Sequence, residues 1–253
     1  MDMHLGKLTL LFVVILSFQS SAEQLVNTIA AVKPSIVAIG VYNPTSSPRI
    51  RLVGTGFVVQ PGNQVVTNYH VIASALDQNR QEVYVVLSGH GQQMSRHNIT
   101  QQRSAPAYDL AVLTIEQRLP ALSLYQQASL IAEGTSVAFT GYPITQVLGL
   151  YPATHRGIIA AQTPVAIPAD HSANLQAAAI RRLGAPYLVY QLDATAYPGN
   201  SGSPLYLPAT GQVIAIINQV HIKSTREAVL SDPSGITYAI PVQHLLPLLE
   251  SSN

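Results

Sequence analysis

The sequence has no cysteine. A disulfide framework, a thiolate zinc site and a cysteine nucleophile are therefore excluded. The absence also suits an oxidising compartment, where stray thiols are a liability. Charge is scarce too: 10% of the 253 residues are charged and the formal net charge is +1. That leaves no electrostatic case for nucleic acid or an acidic membrane surface, and no basic run is interleaved with aromatics. Long apolar runs are missing as well. The N-terminal one, Leu8 to Phe18, has 11 residues, whereas a bilayer-spanning helix needs about 20. No later segment is long and apolar enough to span. There is no internal repeat and no low-complexity linker.

What is present is core. Hydrophobic residues make up 47% of the chain, which supports a large buried interior and argues against disorder. The first residues, "MDMHLGKLTLLFVVILSFQSSAEQ", place Lys7 before the apolar run and Ser20 and Ala22 after it. This is the layout of an export signal cleaved after Ala22. Residues 1–22 thus read as signal peptide and residues 23–253 as one exported domain, periplasmic or secreted.

The mature chain opens with a helical spacing of Leu25, Val26, Ile29 and Ala30 that Pro34 ends. Short β runs follow. They are "SIVAIGVYN", two runs joined at Pro61-Gly62-Asn63, "EVYVVLSG", "YDLAVLTIE", "TSVAFTGYP", "HRGIIAAQ", "YLVYQLDA", "GQVIAIINQV" and "GITYAIPV". Gly, Pro, Asn and Ser separate them. Many short strands with regular turn signals predict an all-β sandwich or barrel. Two stretches depart from this rhythm. Residues 172–184, "SANLQAAAIRRLG", read as a helix, and "PVQHLLPLLESSN" as a closing helix weakened by Pro247.

Serine acyl transfer needs a hydroxyl, a neutral imidazole to take its proton and a carboxylate to orient that imidazole. His70 follows "VVTNY" at a strand end and precedes "VIASAL", where a short helix could start. Asp109 is the only acid in "APAYDLAVLTI" and heads an apolar run, a costly place for a carboxylate without a partner. Ser201 sits in "AYPGNSGSPLY", residues 196–206. There Gly199 would let its own N–H and that of Ser201 converge on an oxyanion, and Gly202 would remove bulk. Each residue alone has an ordinary reading: a surface histidine, a turn-capping aspartate, a Gly-Asn turn. Together they run in the order His, Asp, Ser, at positions 70, 109 and 201. That order, with no alternating strand–helix rhythm, excludes an α/β-hydrolase.

Four stretches in order carry a resemblance: "GTGFVV" (54–59), "TNYHVI" (67–72), "YDLAVL" (108–113) and "DATAYPGNSGSPL" (193–205). The chain resembles a trypsin-like serine protease of chymotrypsin fold, closest to the protease domain of the HtrA/Deg branch, over about residues 25–248. The resemblance implies two six-stranded antiparallel β-barrels with the cleft between them. It implies His70 as general base, Asp109 as its orienter, Ser201 as nucleophile and the N–H groups of Gly199 and Ser201 as oxyanion hole. No metal or organic cofactor is required. The partners implied are polypeptide substrates, as unfolded or exposed segments.

Some features depart from that family. No PDZ domain is recognised, and the N-terminal segment that supports the family's usual trimers is short, so no oligomeric state is assigned. Ser203 stands where glycine is usual. "GNSGSP" also occurs in glutamyl endopeptidases, but the position of their acid-binding histidine aligns with Ile217. Asn200 replaces the aspartate that pairs with a newly cut N-terminus in digestive relatives, so activation by trimming is not expected. Thr195 and Ala196 fall at the specificity-pocket floor and Asn218, Gln219 and Val220 along one wall. No charge is among them, which predicts cleavage after small or medium apolar residues such as Val or Ala. The stretch Thr163–Pro186 reads either as a gate on the cleft or as a surface insertion. A catalytically silent protease-fold chaperone or scaffold is the alternative function.

Overall fold

Most strands of this chain are apolar on both faces, and the architecture shows why. The computed structural model describes residues 23–143, 149–165, 187–218 and 236–251. The export-signal residues 1–22, the helix expected at 172–184, pocket positions Gln219 and Val220, and most of the Thr163–Pro186 stretch lie outside them.

Twelve strands form two closed antiparallel barrels. The first contains β1 (Ile36–Tyr42), β2 (Ile50–Val59), β3 (Gln64–Asn68), β4 (Val83–His90), β5 (Gln93–Ala105) and β6 (Leu110–Ile115), in the order β1-β2-β3-β6-β5-β4. The second contains β7 (Ser136–Gly141), β8 (Ala153–Pro164), β9 (Leu188–Asp193), β10 (Pro204–Tyr206), β11 (Val213–Asn218) and β12 (Ile236–Pro241), in the order β10-β11-β12-β9-β8-β7. Closure removes the unpaired edges that an open sheet would expose.

Side chains alternate across a strand, and in β1, β3, β6, β7 and β11 both sides are buried, whereas β5 and β8 are mostly half-buried or exposed. Val37 and Ile39 fill the first barrel while Ile36 and Ala38 pack in the layer shared by the two barrels. Val58 and Val65 point inward, and Phe57 and Val66 toward the shared layer. In the second barrel Ile214 and Ile217 are interior, and Val213 and Ile216 join the shared layer. The near-continuous apolar runs are thus strands pressed between two cores.

The connection between barrels is zipped to both. Leu122 N–H donates to Val58 O (2.9 Å), and Tyr125 N–H to Val213 O (2.9 Å). The Pro61-Gly62-Asn63 turn joins β2 to β3 as expected.

Both terminal helices are short. Residues 23–32 are helical (α1), and the run ends at Pro34 as expected, in a 3-10 turn, Lys33–Ser35, before β1 begins. The buried stripe of α1 is Thr28 and Val32, with Leu25 packed beside them, while Val26 is 65% exposed. At the other end a 3-10 turn, Val242–His244, leads into α2, Leu246–Glu250. Pro247 lies in the first turn of α2, where its missing N–H costs no helical bond.

Candidate active site

Strand register explains how residues 70 and 109 meet. β3 pairs antiparallel with β6, with Asn68 opposite Leu110. The residues just beyond that pair, Tyr69 and His70 on one side and Asp109 on the other, must therefore be neighbours. His70 sits in a turn closed by Ile72 N–H to Tyr69 O (3.0 Å). The short helix considered after it does not form; residues 69–72 are turn.

A 3-10 turn, Pro106–Tyr108, delivers Asp109 with φ +52°. Aspartate is among the few side chains that tolerate this left-handed backbone. The twist turns both ends of Asp109 toward β3. Its carbonyl accepts from Tyr69 N–H (3.0 Å) and Asn68 Nδ2 (3.1 Å). Its carboxylate Oδ1 accepts from His70 N–H (2.8 Å), and Oδ2 is 2.6 Å from His70 Nδ1. An ionised carboxylate only accepts, so Nδ1 is the donor in this bond, and in the neutral imidazole the lone pair then lies on Nε2. Asn218 Nδ2, at the end of β11, also donates to Oδ2 (3.0 Å). The residue assigned to the pocket wall thus reaches across the barrels and steadies the carboxylate.

The Gly-Asn-Ser-Gly stretch is two overlapping turns. Asn200 N–H donates to Tyr197 O (3.0 Å), and Ser203 N–H to Asn200 O (3.0 Å). Each turn has a glycine with positive φ at its third position, Gly199 at +100° and Gly202 at +88°. Pro198 precedes the first of them. This is the type II signature. Ser201 therefore stands at the corner of the second turn. Gly202 is required twice over, because a Cβ there would lie 2.1 Å from Thr55 O. Neither Gly199 N–H nor Ser201 N–H donates to any acceptor among the described residues.

Ser201 is held to the first barrel by Thr55 N–H donating to its carbonyl (2.9 Å). A methyl group at Gly54 would lie 2.7 Å from Val71 Cγ1 and 3.2 Å from Ser201 O. The chain just after His70 and the serine turn therefore pack against the same point of β2. Among the described residues no hydrogen bond joins the Ser201 hydroxyl to His70. In unliganded enzymes such contacts are commonly long and tighten with substrate.

The segment expected to form the pocket floor is held by β12. Thr237 on β12, 4% exposed, donates its hydroxyl to Ala194 O (2.7 Å) and accepts Ala196 N–H (2.9 Å). Thr55 and Asn68 lie inside the stretches 54–59 and 67–72, but nothing local assigns them or Thr237 a role, since each is a polar residue in an apolar strand that any turn or ladder could satisfy.

Behind Asp109 three rings lock the barrels together. Tyr108 stacks on His244 (centroids 4.6 Å, 21°) and meets Tyr187 edge-on (4.9 Å, 68°). Burial, with added push from Asp109 and Tyr108, raises the Tyr187 phenol to about 12. Burial lowers the imidazoles of His244 and His155, the latter stacked on Phe139. Both are bases whose folded value lies below the unfolded 6.5. The unfolded chain then binds more protons, so stability is full above 6.5 and falls as pH drops through that value toward the folded ones. The melting temperature is expected to fall between pH 7.5 and pH 5. A His155→Phe/His244→Phe variant should lose less over that interval, and an equal loss would assign the acid sensitivity to other groups.

The trypsin-like peptidase domain family matches residues 54–216. The chain belongs to this family. Among curated relatives it is 29% identical over 211 residues to a "probable periplasmic serine endoprotease DegP-like" of Hahella chejuensis, covering 82% of this chain and 37% of that one. It is 29% identical over 209 residues to the "putative serine protease HhoB" of Synechocystis, covering 79% and 40%. The chain thus spans about two fifths of the length of these relatives. Solved structures share the double barrel. The HtrA-type protease AlgW with tripeptide superposes with TM-score 0.63 at 24% identity, covering 90% of this chain and 62% of that one. The active form of the Rv3671c protease from M. tuberculosis gives 0.62 at 22%, covering 89% and 85%. This trypsin-like peptidase family member therefore has the two six-stranded barrels that its motifs implied, and its relatives are of the HtrA/Deg type.

Proposed function

We propose that the protein is a serine endopeptidase with Ser201 as nucleophile, His70 as general base and Asp109 as the group that orients and stabilises the imidazole. The observation that carries this reading is the His70–Asp109 pair, 2.6 Å apart, beside a serine turn in which two N–H groups donate to no acceptor among the described residues. In the proposed reaction His70 Nε2 takes the Ser201 proton as Oγ attacks the peptide carbonyl. The oxyanion enters the cradle of Gly199 and Ser201 N–H groups, worth a few kcal/mol in such sites. The imidazolium then protonates the leaving amine, and water repeats the sequence on the acyl-enzyme.

Residues 1–22 act as a cleaved export signal and residues 23–253 as the protease domain, placing the activity in the periplasm or outside the cell. The relatives' names support a periplasmic site. Substrates are polypeptides with exposed or unfolded segments. Thr195 and Ala196 bring no charge to the pocket floor, which supports cleavage after Val, Ala or similar side chains.

The test is covalent labelling of residues 23–253 by a fluorophosphonate, with Ser201→Ala as control, followed by a peptide library. Labelling of the native protein alone is expected. Equal labelling of both would remove Ser201 from its role, and a strong library preference for Lys, Arg or Glu would overturn the apolar pocket.

A further inference from the structure

We propose that Thr55 is a positioning residue that fixes the oxyanion cradle of one barrel against the imidazole–carboxylate half of the other. The inference rests on the function proposed above and names a residue to which that mechanism gives no part.

Thr55 lies on β2 with no exposed surface. Its hydroxyl has two partners from the second barrel and its margin: Oγ1 is 2.9 Å from Tyr142 N and 2.7 Å from Gly199 O. A peptide N–H can only donate and a carbonyl can only accept. The Thr55 hydroxyl must therefore accept from Tyr142 and donate to Gly199. Its backbone N–H reaches the serine turn, and its backbone carbonyl binds within its own barrel. Thr55 N–H donates to Ser201 O (2.9 Å), and Thr55 O accepts the hydroxyl of Thr67 (2.7 Å).

One residue thus binds the carbonyl of Gly199 and the carbonyl of Ser201. These two anchors bracket the Asn200–Ser201 peptide, whose N–H is half of the proposed cradle. They also fix one of the two peptides that meet at the Gly199 Cα, the most freely rotating point of the turn. With both carbonyls drawn toward β2, the intervening Ser201 N–H stays clear of it. The remaining contact runs the other way. Thr67 is on β3, three residues before His70. The path Gly199 and Ser201 to Thr55 to Thr67 therefore joins the nucleophile's turn to the strand that presents the base. The two halves of the proposed machinery come from different barrels, and a misplacement of about 1 Å between such halves costs about 100-fold in rate.

The side-chain bond is testable apart from the backbone bonds. Thr55→Val keeps the shape and removes the hydroxyl, while Thr55→Ser keeps the hydroxyl and removes a methyl. For the folded Thr55→Val protein, kcat for a peptide substrate and the fluorophosphonate labelling rate should both fall by about 30- to 100-fold. KM should stay within about twofold, because substrate contacts are untouched. Thr55→Ser should keep kcat within about threefold of wild type, since it retains the donor. Should Thr55→Val not fold, Thr55→Cys, of similar size and with only a weak donor, is read in its place. A folded Val or Cys variant with wild-type kcat overturns the proposal. So does a Ser variant as impaired as the Val variant, which would make Thr55 a packing residue. Wild-type protein that neither labels nor cleaves overturns the proposed function instead, and is scored before any variant.

Discussion

Replacing Ser201 by alanine is expected to lower kcat/KM for a peptide substrate by about 10^6-fold, and His70→Ala by a similar factor. The double variant should be no worse than either single one. The reason is that the two residues act in one step: without the hydroxyl the base has nothing to activate, and without the base the hydroxyl is a weak nucleophile. What survives is substrate binding and the Gly199 and Ser201 N–H pair, which are unaffected by either change. Initial rates over a range of enzyme concentrations would show it. Additive losses in the double variant would mean that Ser201 and His70 do not work as one unit. The fold should survive the Ser201 change, because among the described residues Ser201 is held through its carbonyl by Thr55 rather than through its side chain.

Asp109→Asn is expected to lower kcat by about 10^4-fold with little change in KM, the size found when the orienting aspartate of a serine protease triad becomes asparagine. The local geometry gives the cause. Three donors converge on the Asp109 carboxylate: His70 N–H, His70 Nδ1–H and Asn218 Nδ2. An amide can offer acceptance on one side only. If its oxygen satisfies His70 N–H, its NH2 faces both Asn218 Nδ2 and His70 Nδ1. The imidazole must then turn over its tautomer, put its proton on Nε2 and stop acting as a base. The left-handed backbone at φ +52° tolerates asparagine as well as aspartate, so the fold should persist and the loss should be chemical. A loss under tenfold would remove Asp109 from the proposed role.

Much of this was legible because it is local. The turn residues Pro198, Gly199 and Gly202 announce their own φ requirements, and the structure has positive φ at both glycines. The export of both strand faces into cores leaves its mark as runs such as "SIVAIGV". The two closed barrels were reached through the resemblance rather than through periodicity, since strands buried on both sides lose the alternation that would identify their faces. Details at the margins differed for local reasons. Val26 belongs to the apolar spacing of the first helix yet faces outward, because Thr28 takes the buried position. The turn after His70 closes within residues 69–72 and never becomes a helix.

The sequence by itself determined the chemistry on offer: no thiols, a histidine at a strand end, an aspartate before a core strand and a serine between two glycines. It also determined the β class, because short apolar runs broken by Gly, Pro and Asn cannot be anything longer. Only the tertiary structure decided which groups meet. Asn218 reaches Asp109, 109 residues earlier, and Thr55 reaches Gly199, 144 residues later. Such contacts depend on how one barrel sits on the other, which no local propensity encodes. The polar residues that set this registry are few, buried and individually ordinary, and they acquire meaning only once their partners are in place.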